Sequence, residues 1–165
     1  MASDILDILR RAYQVEVDGY TFYSMTAERA TDKPAVQRLF TRLAEDERQH
    51  QEYLHQAAEH YRDRGPGAFE IPGSVPDRSE FAGAVFTDEV RGQAQGAEFE
   101  AAVLSVGMSI ETNAIAVYTD AARSADDDQV RGFYQFLTIW ERQHLIALQN
   151  AYKAVRSDFW HTSGL

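Results

Sequence analysis

The 165-residue chain has 44% hydrophobic and 25% charged residues, which are the proportions of an ordinary globular domain. Its formal net charge of −10 argues against nucleic acid or an anionic membrane as a partner, since both would repel such a surface. The absence of cysteine excludes disulfides, thiolate metal sites and cysteine catalysis. Because no signal peptide is evident and no uninterrupted apolar stretch is long enough to span a bilayer, we expect a cytoplasmic protein.

The first half of the chain predicts two long helices. In the first segment, apolar residues recur at three- and four-residue steps and form a stripe that one carboxylate, Glu16, interrupts. The second helix is expected to begin with Asp32 as its cap and Pro34 in its first turn. It is expected to stop within the sequence Arg64-Gly65-Pro66-Gly67, which is a strong helix-ending signal.

The segment 65–87 predicts a long crossover between the second and third helices. Returning along a helix of about 30 residues, some 45 Å at 1.5 Å per residue, requires this much extended chain. Four-helix bundles of the ferritin type have one such connection, so we predict an all-α fold of that architecture. The apolar residues of the segment indicate that it packs across the bundle; they are Phe69, Ile71, Phe81, Val85 and Phe86.

Two more helices are predicted in the second half. The third is expected to run from about Asp88 or Gln95 to Arg123, because Gly92 and Gly96 leave its start uncertain. The fourth follows the acidic sequence 126–128, which suits a helix N-terminus. Beyond it, the tail 157–165 carries two aromatic residues and is expected either to dock on a neighbouring surface or to form a loosely ordered terminus.

A repeat relates the two halves of the chain. The tetrapeptide Glu47-Arg48-Gln49-His50 recurs as Glu141-Arg142-Gln143-His144. A Glu and a His three residues apart lie on one face of a helix, so both can reach a single point beside it. Each preceding helix also carries a Glu with a Tyr seven residues later; the pairs are Glu16 with Tyr23 and Glu111 with Tyr118. The chain therefore resembles a helix pair used twice.

Packing the four apolar stripes together brings polar groups into an apolar interior. Each buried carboxylate without a partner costs roughly several kcal/mol of free energy. Four of them therefore need compensation, which two divalent cations would supply. A Glu from each of two helices and a Glu-x-x-His from each of the other two is the ligand set of di-iron carboxylate bundles. The predicted metal ligands are Glu16, Glu47, His50, Glu111, Glu141 and His144.

The symmetry of the repeat assigns a role to each predicted ligand. Glu47 and Glu141 would bridge the two ions, with one terminal Glu and one imidazole for each ion. Iron or manganese suits carboxylate and imidazole ligands, and zinc could occupy the same site without redox activity. Tyr23 and Tyr118 either donate hydrogen bonds to the ligand carboxylates across the bundle or serve as core aromatics.

This pattern resembles the rubrerythrin branch of the ferritin-like superfamily. The resemblance covers nearly the whole chain, and we expect one domain over residues 1–165. The resemblance implies a non-haem di-iron centre that cycles between ferrous and ferric states, with hydrogen peroxide or dioxygen as oxidant. The chain departs from the family in having no cysteine for a rubredoxin domain. It also lacks a further carboxylate one turn from Glu111, where Met108 and Ala114 stand.

Three functions remain open at this level. The first is a di-iron oxidoreductase that reduces peroxide or dioxygen or oxidises Fe(II), with electrons from a separate donor, rubredoxin-like or other. The second is an iron-binding or storage protein with incidental ferroxidase turnover. The third is an interaction scaffold with a vestigial ligand set, which retention of all six ligands argues against. We expect a homodimer, because bundles of this type bury further helix surface.

Overall fold

In a computed structural model, residues 5–65, 74–93 and 98–162 are described, and they contain helices and connecting turns without a β-strand. These residues form five α-helices: α1 (Ile5–Arg29), α2 (Pro34–Arg64), α3 (Ala84–Gln93), α4 (Glu98–Ser124) and α5 (Asp128–Thr162). A short 3₁₀ helix, Ser79–Ala82, precedes α3. The prediction of an all-α protein is confirmed.

The four long helices form two hairpins. α1 packs chiefly on α2, and α4 packs chiefly on α5. Contacts between α1 and α4, and fewer between α2 and α5, join the hairpins into one bundle. This arrangement, with the long connection between α2 and α4, confirms the predicted ferritin-like four-helix architecture.

Two separate apolar layers fill the bundle. One layer is drawn from the end of α1, the start of α2, the start of α4 and the end of α5, and it includes Tyr23, Phe40, Leu43, Leu104 and Leu148. The other is drawn from the opposite halves of the same helices and includes Leu9, Leu54, Tyr118, Leu137 and Trp140. The predicted polar residues lie between these two layers in each helix sequence. They are therefore shielded from water along the bundle axis on both sides.

The boundaries of α2 follow from proline and glycine. Pro34 is its first residue, where a missing N–H costs nothing because that group has no partner within the helix. The predicted cap at Asp32 is wrong: Lys33 holds the N-cap position and makes no side-chain hydrogen bond there. Gly65 ends the helix with a positive φ of 80°, and its N–H bonds to the carbonyl of Tyr61 at 3.0 Å.

The crossover is more helical than predicted. The sequence 65–87 was expected to be extended, but its described part contains the 3₁₀ helix and the first residues of α3, which packs on α5 and α2. The prediction that the segment packs across the bundle is confirmed for Phe81 and Phe86, which are buried in the core. Phe69 and Ile71 lie outside the described residues, as does the side chain of Val85.

The predicted third helix is divided in two. Asp88 belongs to α3, whereas α4 begins at Glu98 and Gln95 lies outside the described residues. α5 begins as predicted: the Asp127 carboxylate accepts hydrogen bonds from the N–H groups of residues 129 and 130, at 2.8 and 3.1 Å. The backbone of 157–162 continues α5, so this part of the predicted tail is helical.

α4 is the most apolar of the long helices. Among the described residues it is the one helix that is long and apolar enough, by length and composition, to cross a membrane. The core helix of a soluble protein passes the same test, so a single such helix is weak evidence for a membrane span. α4 packs against α1 and α5, and it contributes Glu111 to the interior of the bundle.

Candidate metal centre

The structure brings all six predicted ligands together at mid-height in the bundle. One comes from α1, two from α2, one from α4 and two from α5, and each is at most 3% exposed. Their ligand atoms form two groups in which all members lie within 4.8 Å of one another. The first group is Glu16, Glu47, His50 and Glu141, and the second is Glu47, Glu111, Glu141 and His144.

In the first group, three carboxylates surround one imidazole nitrogen. His50 Nδ1 lies 2.9 Å from Glu16 Oε2, 3.3 Å from Glu47 Oε2 and 2.8 Å from Glu141 Oε1. Glu47 and His50 share a helix at a three-residue spacing, whereas Glu16 and Glu141 come from other helices. The first group therefore depends on tertiary packing of α1, α2 and α5.

The second group repeats this arrangement with the other imidazole. His144 Nδ1 lies 3.5 Å from Glu47 Oε1, 3.7 Å from Glu111 Oε1 and 3.0 Å from Glu141 Oε2. The two imidazole rings are nearly parallel, with centroids 5.6 Å apart and planes at 25°. The sequence repeat thus appears in space as two similar ligand groups placed side by side.

Glu47 and Glu141 belong to both groups. Glu47 presents Oε2 to His50 and Oε1 to His144. Glu141 presents Oε1 to His50 and Oε2 to His144. Glu16 and Glu111 each belong to one group only. A carboxylate that presents one oxygen to each of two groups has the geometry of a bridge between two cations.

The hydrogen bonding of the cluster fits a bound cation. Within the described residues, neither oxygen of Glu141 forms a hydrogen bond, and neither does His144 Nδ1, although the two residues approach to 3.0 Å. Burying a carboxylate oxygen without a partner costs free energy. The oxygens of Glu141 and the nitrogen of His144 are close but not aligned for a hydrogen bond, and they face a common position that a cation could occupy. Carboxylate and imidazole donors without thiolate suit iron, manganese or zinc.

Two tyrosines connect the hairpins at the level of the cluster. The hydroxyl of Tyr118 in α4 donates to Glu16 Oε1 in α1, and the hydroxyl of Tyr23 in α1 donates to Glu111 Oε1 in α4. Both rings are completely buried. Each terminal carboxylate is therefore oriented by a hydrogen bond from the opposite hairpin. Both predicted roles are seen together, since the hydroxyls donate to the carboxylates while the rings belong to the two apolar layers.

Burial and mutual repulsion divide the four carboxylates into two kinds. Burial, followed by the charges of Glu47 and Glu141, raises the pKa of Glu16 well above its usual 4.5, and the same causes raise the pKa of Glu111. Burial acts in the same direction on Glu47 and Glu141, but their contacts outweigh it, so the pKa of each is lowered. The contacts that lower the pKa of Glu47 are with Glu16, His144 and His50, and those that lower the pKa of Glu141 are with the two histidines. Glu16 and Glu111 therefore hold a proton more readily than Glu47 and Glu141 do.

The same environment raises the pKa of both imidazoles, against the effect of burial. Burial acts to lower the pKa of His50, but the charges of Glu141 and Glu16 outweigh it and raise that pKa well above 6.5. For His144, burial is likewise outweighed by Glu111 and by the hydrogen bond with Asp46. Both imidazoles therefore hold a proton more readily than a free histidine does.

Sequence reasoning missed the residues behind His144. Asp46 is buried, and its Oδ2 lies 3.1 Å from His144 Nε2. Arg78 from the crossover donates to both oxygens of Asp46, with Nε 2.7 Å from Oδ2, and Trp140 Nε1 donates to Oδ2 at 3.3 Å. Burial acts to raise the pKa of Asp46, but the hydrogen bonds from His144 and Arg78 reverse this, and the pKa lies well below its usual 3.8.

A signal for Asp46 was present in the helical pattern. Leu39, Leu43, Asp46 and His50 follow one another at four-, three- and four-residue steps, so Asp46 lies on the inward stripe of α2. Nothing comparable announced Arg78, because its position depends on how the crossover folds over the bundle. Two further histidines of α2, His55 and His60, belong to neither ligand group, and His55 Nδ1 lies 3.7 Å from Glu59 Oε2 on the surface of the helix.

The fold and the buried cluster together define a ferritin-like helical bundle with a site capable of binding metal ions. A rubrerythrin family model matches residues 7–152, and the chain belongs to the rubrerythrin family. Searches among curated proteins and among solved structures returned no match. The family membership agrees with the resemblance seen in the repeat and indicates a di-iron oxidoreductase in general terms.

Proposed function

We propose that this protein is a non-haem di-iron oxidoreductase that reduces hydrogen peroxide or dioxygen, or oxidises Fe(II), at its Glu/His cluster. The observation that carries the proposal is the sharing of Glu47 and Glu141 between the two ligand groups. A site for one ion would not require two carboxylates that each face both ligand groups. Four carboxylates in the cluster also match the four positive charges of two divalent ions.

The roles of the ligands follow from the distances. Glu47 and Glu141 would bridge the ions, Glu16 and His50 would complete one coordination sphere, and the remaining pair, Glu111 and His144, would complete the other. Two bound iron ions would supply one electron each between their ferrous and ferric states, and two electrons with two protons reduce one hydrogen peroxide to two waters. Iron is favoured by the family, although the donor atoms also accept manganese or zinc.

The chain's own residues contribute orientation, shielding and proton positions. Tyr23 and Tyr118 hold the terminal carboxylates in place from the opposite hairpin. The apolar layers on either side exclude bulk water, which strengthens every charge interaction in the cluster. Burial, followed by the charge of Glu111, raises the pKa of Tyr23 well above 10, so this hydroxyl keeps its proton and remains a donor.

Partners and location are part of the proposal. Since the chain has no cysteine, it cannot form a rubredoxin site of its own, and electrons would come from a separate donor protein. We propose a cytoplasmic homodimer that binds neither nucleic acid nor membrane. Apolar residues spaced seven apart on the outer faces of α4 and α5 support a second copy as partner; they are Phe99, Val106, Ile139 and Ile146, each about half exposed.

One observation favours iron storage with ferroxidase turnover as the second candidate. The positions one turn from Glu111 are occupied by Met108 and Ala114, so α4 adds no further carboxylate to the six-residue set. The bare set of six also suits a ferroxidase centre. Measuring the assembly size together with the rates of Fe(II) oxidation and peroxide consumption separates the two: a closed shell indicates storage, and a dimer with rapid peroxide turnover indicates the enzyme.

Metal analysis of three variants tests the proposal. Glu47→Ala should abolish binding of both ions because Glu47 belongs to both groups, whereas Glu16→Ala should weaken mainly the ion near His50. Glu52→Ala is the matched control, since Glu52 is an exposed residue of the same helix, and it should bind two ions like the parent protein. Two tightly bound ions per chain in Glu47→Ala would show that the bridging role is wrong.

A further inference from the structure

The repeat places different residues behind the two imidazoles. Asp46 directly precedes Glu47, and Trp140 directly precedes Glu141, so the two are equivalent positions of the repeated tetrapeptide unit. Both are buried, and each faces the imidazole of the other hairpin: Asp46 contacts His144, and Trp140 contacts His50. One imidazole thus has a carboxylate behind it, and the other has an indole.

The carboxylate fixes how His144 presents itself to the cluster. His144 Nε2 lies 3.1 Å from Asp46 Oδ2, on the side of the ring opposite to Nδ1, which faces the three carboxylates of its group. Arg78 and the indole N–H of Trp140 hold the Asp46 carboxylate in position. A carboxylate that accepts from one imidazole nitrogen raises the electron-donating power of the other and locks the ring orientation.

His50 has no equivalent support. Its ring packs against the indole of Trp140 with centroids 4.4 Å apart and planes at 87°. An indole offers one N–H donor and no acceptor atom, and in Trp140 that donor is directed at Asp46. In the part of the chain that the structure describes, His50 Nε2 has no hydrogen-bond partner.

The two halves otherwise use the same types of residue. Each group has one terminal Glu that accepts a hydrogen bond from a buried Tyr, and both groups share Glu47 and Glu141. The terminal Glu lies 2.9 Å from the imidazole in the His50 group and 3.7 Å from it in the His144 group, and the difference between Asp46 and Trp140 is the main difference in residue type. Since losing such a carboxylate behind a metal-bound histidine typically lowers metal affinity about 10- to 100-fold, its presence on one side only has a measurable consequence.

We infer that the two ion positions are unequal: the position that uses His144 binds its ion about 10- to 100-fold more tightly and fills first, and Asp46 is the positioning residue responsible. This inference rests on the proposed two-ion centre. In an enzyme of this kind, filling in a fixed order would leave a protein with one ion at the His144 position as the stable intermediate of assembly.

Calorimetric titration of the metal-free protein with Mn(II) tests the order. The parent protein should bind two ions in two resolved steps. His50→Ala should keep the tight step and lose the weak one, and His144→Ala should keep only the weak one. Circular dichroism of each variant shows whether the helical bundle is retained.

Adding Asp46→Asn to the His50→Ala variant and to the His144→Ala variant tests whether Asp46 causes the difference in affinity between the two ion positions. In the His50→Ala background it should weaken the remaining ion about 10- to 100-fold, whereas in the His144→Ala background it should leave the remaining ion unchanged. A purely structural role for Asp46 would weaken both backgrounds alike. Glu45→Gln is the matched control, because Glu45 is the exposed neighbour of Asp46 on the same helix, and it should alter neither step.

The failures of the two proposals are distinguishable. Two ions bound with equal affinity, or a tight step that survives in His144→Ala, would overturn the inference and leave the two-ion centre intact. No Mn(II) binding by the parent protein, together with none of Fe(II) under anaerobic conditions, would overturn the proposed function and the inference with it.

Discussion

The hydroxyl of Tyr118 in the second hairpin donates a hydrogen bond to Glu16 in the first, and the reciprocal bond from Tyr23 to Glu111 crosses the same interface. The two bonds connect the terminal carboxylates to opposite halves of the bundle. They lie at the level of the cluster, between its two apolar layers. The hydrogen bonds that join the two hairpins therefore also orient the terminal ligands.

Removing one of these hydroxyls should affect one ion position more than the other. Tyr118→Phe leaves Glu16 without its donor and should lower the affinity of the position near His50 about 10-fold or more, whereas Tyr23→Phe should act on the position near His144. Mn(II) titration measures both. Tyr152→Phe is the control, because its hydroxyl accepts a hydrogen bond from Arg156 on the same helix and Tyr152 belongs to neither ligand group. Identical effects of Tyr118→Phe and Tyr23→Phe on both steps would contradict separate positions.

Metal binding should release protons. The pKa values of Glu16, Glu111, His50 and His144 are raised in the metal-free protein, so these groups hold their protons to a higher pH than free side chains do. Divalent ions bind ionised carboxylates and neutral imidazoles, so loading displaces protons from these groups. Apparent affinity should therefore fall as the pH falls, because protons and metal ions compete for the same atoms.

The number of protons released is measurable by titration in buffers of different ionisation enthalpy. Glu52→Ala should release the same number as the parent protein, since Glu52 is exposed. Binding of two ions without any release of protons would contradict the raised pKa values of the terminal carboxylates and the imidazoles.

The ion pair between Arg78 and Asp46 should stabilise the fold strongly. Both side chains are buried, at 7% and 2% exposed, so Arg78→Gln removes the closest cation from a buried carboxylate, which keeps its contact with His144. The expected loss in the free energy of unfolding is about 3–5 kcal/mol, measured by urea denaturation of the metal-free protein. Arg38→Gln is the control, since its pair with Glu89 is exposed and should contribute at most about 1 kcal/mol.

The pH dependence of this loss has a definite sign. The pKa of Asp46 is lowered in the folded protein, so the pair's contribution is complete above the unfolded value of 3.8 and is lost as the pH falls through the folded value. The difference between the parent protein and Arg78→Gln should therefore be constant near neutral pH and shrink only in acid. A difference that shrinks as the pH rises would contradict the assignment.

Gly19 tests the position of Glu47 from the neighbouring helix. A Cβ added at Gly19 would lie 3.3 Å from Glu47 Cδ, which is tighter than ordinary contact. Gly19→Ala should displace this carboxylate and weaken both ions, even though alanine favours a helix by about 1 kcal/mol. Gly92→Ala in α3 is the matched control, since a Cβ there meets nothing within 4 Å, and it should stabilise the protein without affecting metal binding.

The sequence repeat predicted the fold and the members of the cluster because helical periodicity is local. The steps of three and four residues that bury Leu43 and Leu137 also place Glu47 and Glu141 on the inner face, whatever the loops do. Two buried Glu-x-x-His units on facing helices leave few arrangements other than a shared site. These parts of the account needed no knowledge of tertiary contacts.

The parts that were missed depend on contacts between distant segments. The crossover was expected to be extended because returning along a helix of about 30 residues requires that much chain, but packing of Phe86 and Val90 against the core stabilises α3. Lys33, and not Asp32, occupies the N-cap of α2, which begins at Pro34. Arg78 reaches Asp46 only after the crossover has folded back over the bundle, and no periodicity reveals such a pair.

The most direct test of the two-ion centre is a crystal structure of the Fe(II)-loaded protein with an anomalous difference map at the iron edge. Two peaks are expected within the bundle, one beside His50 and Glu16 and one beside His144 and Glu111, with Glu47 and Glu141 between them. A single peak in the cluster, or iron found only at surface acids such as 126–128, would contradict the account.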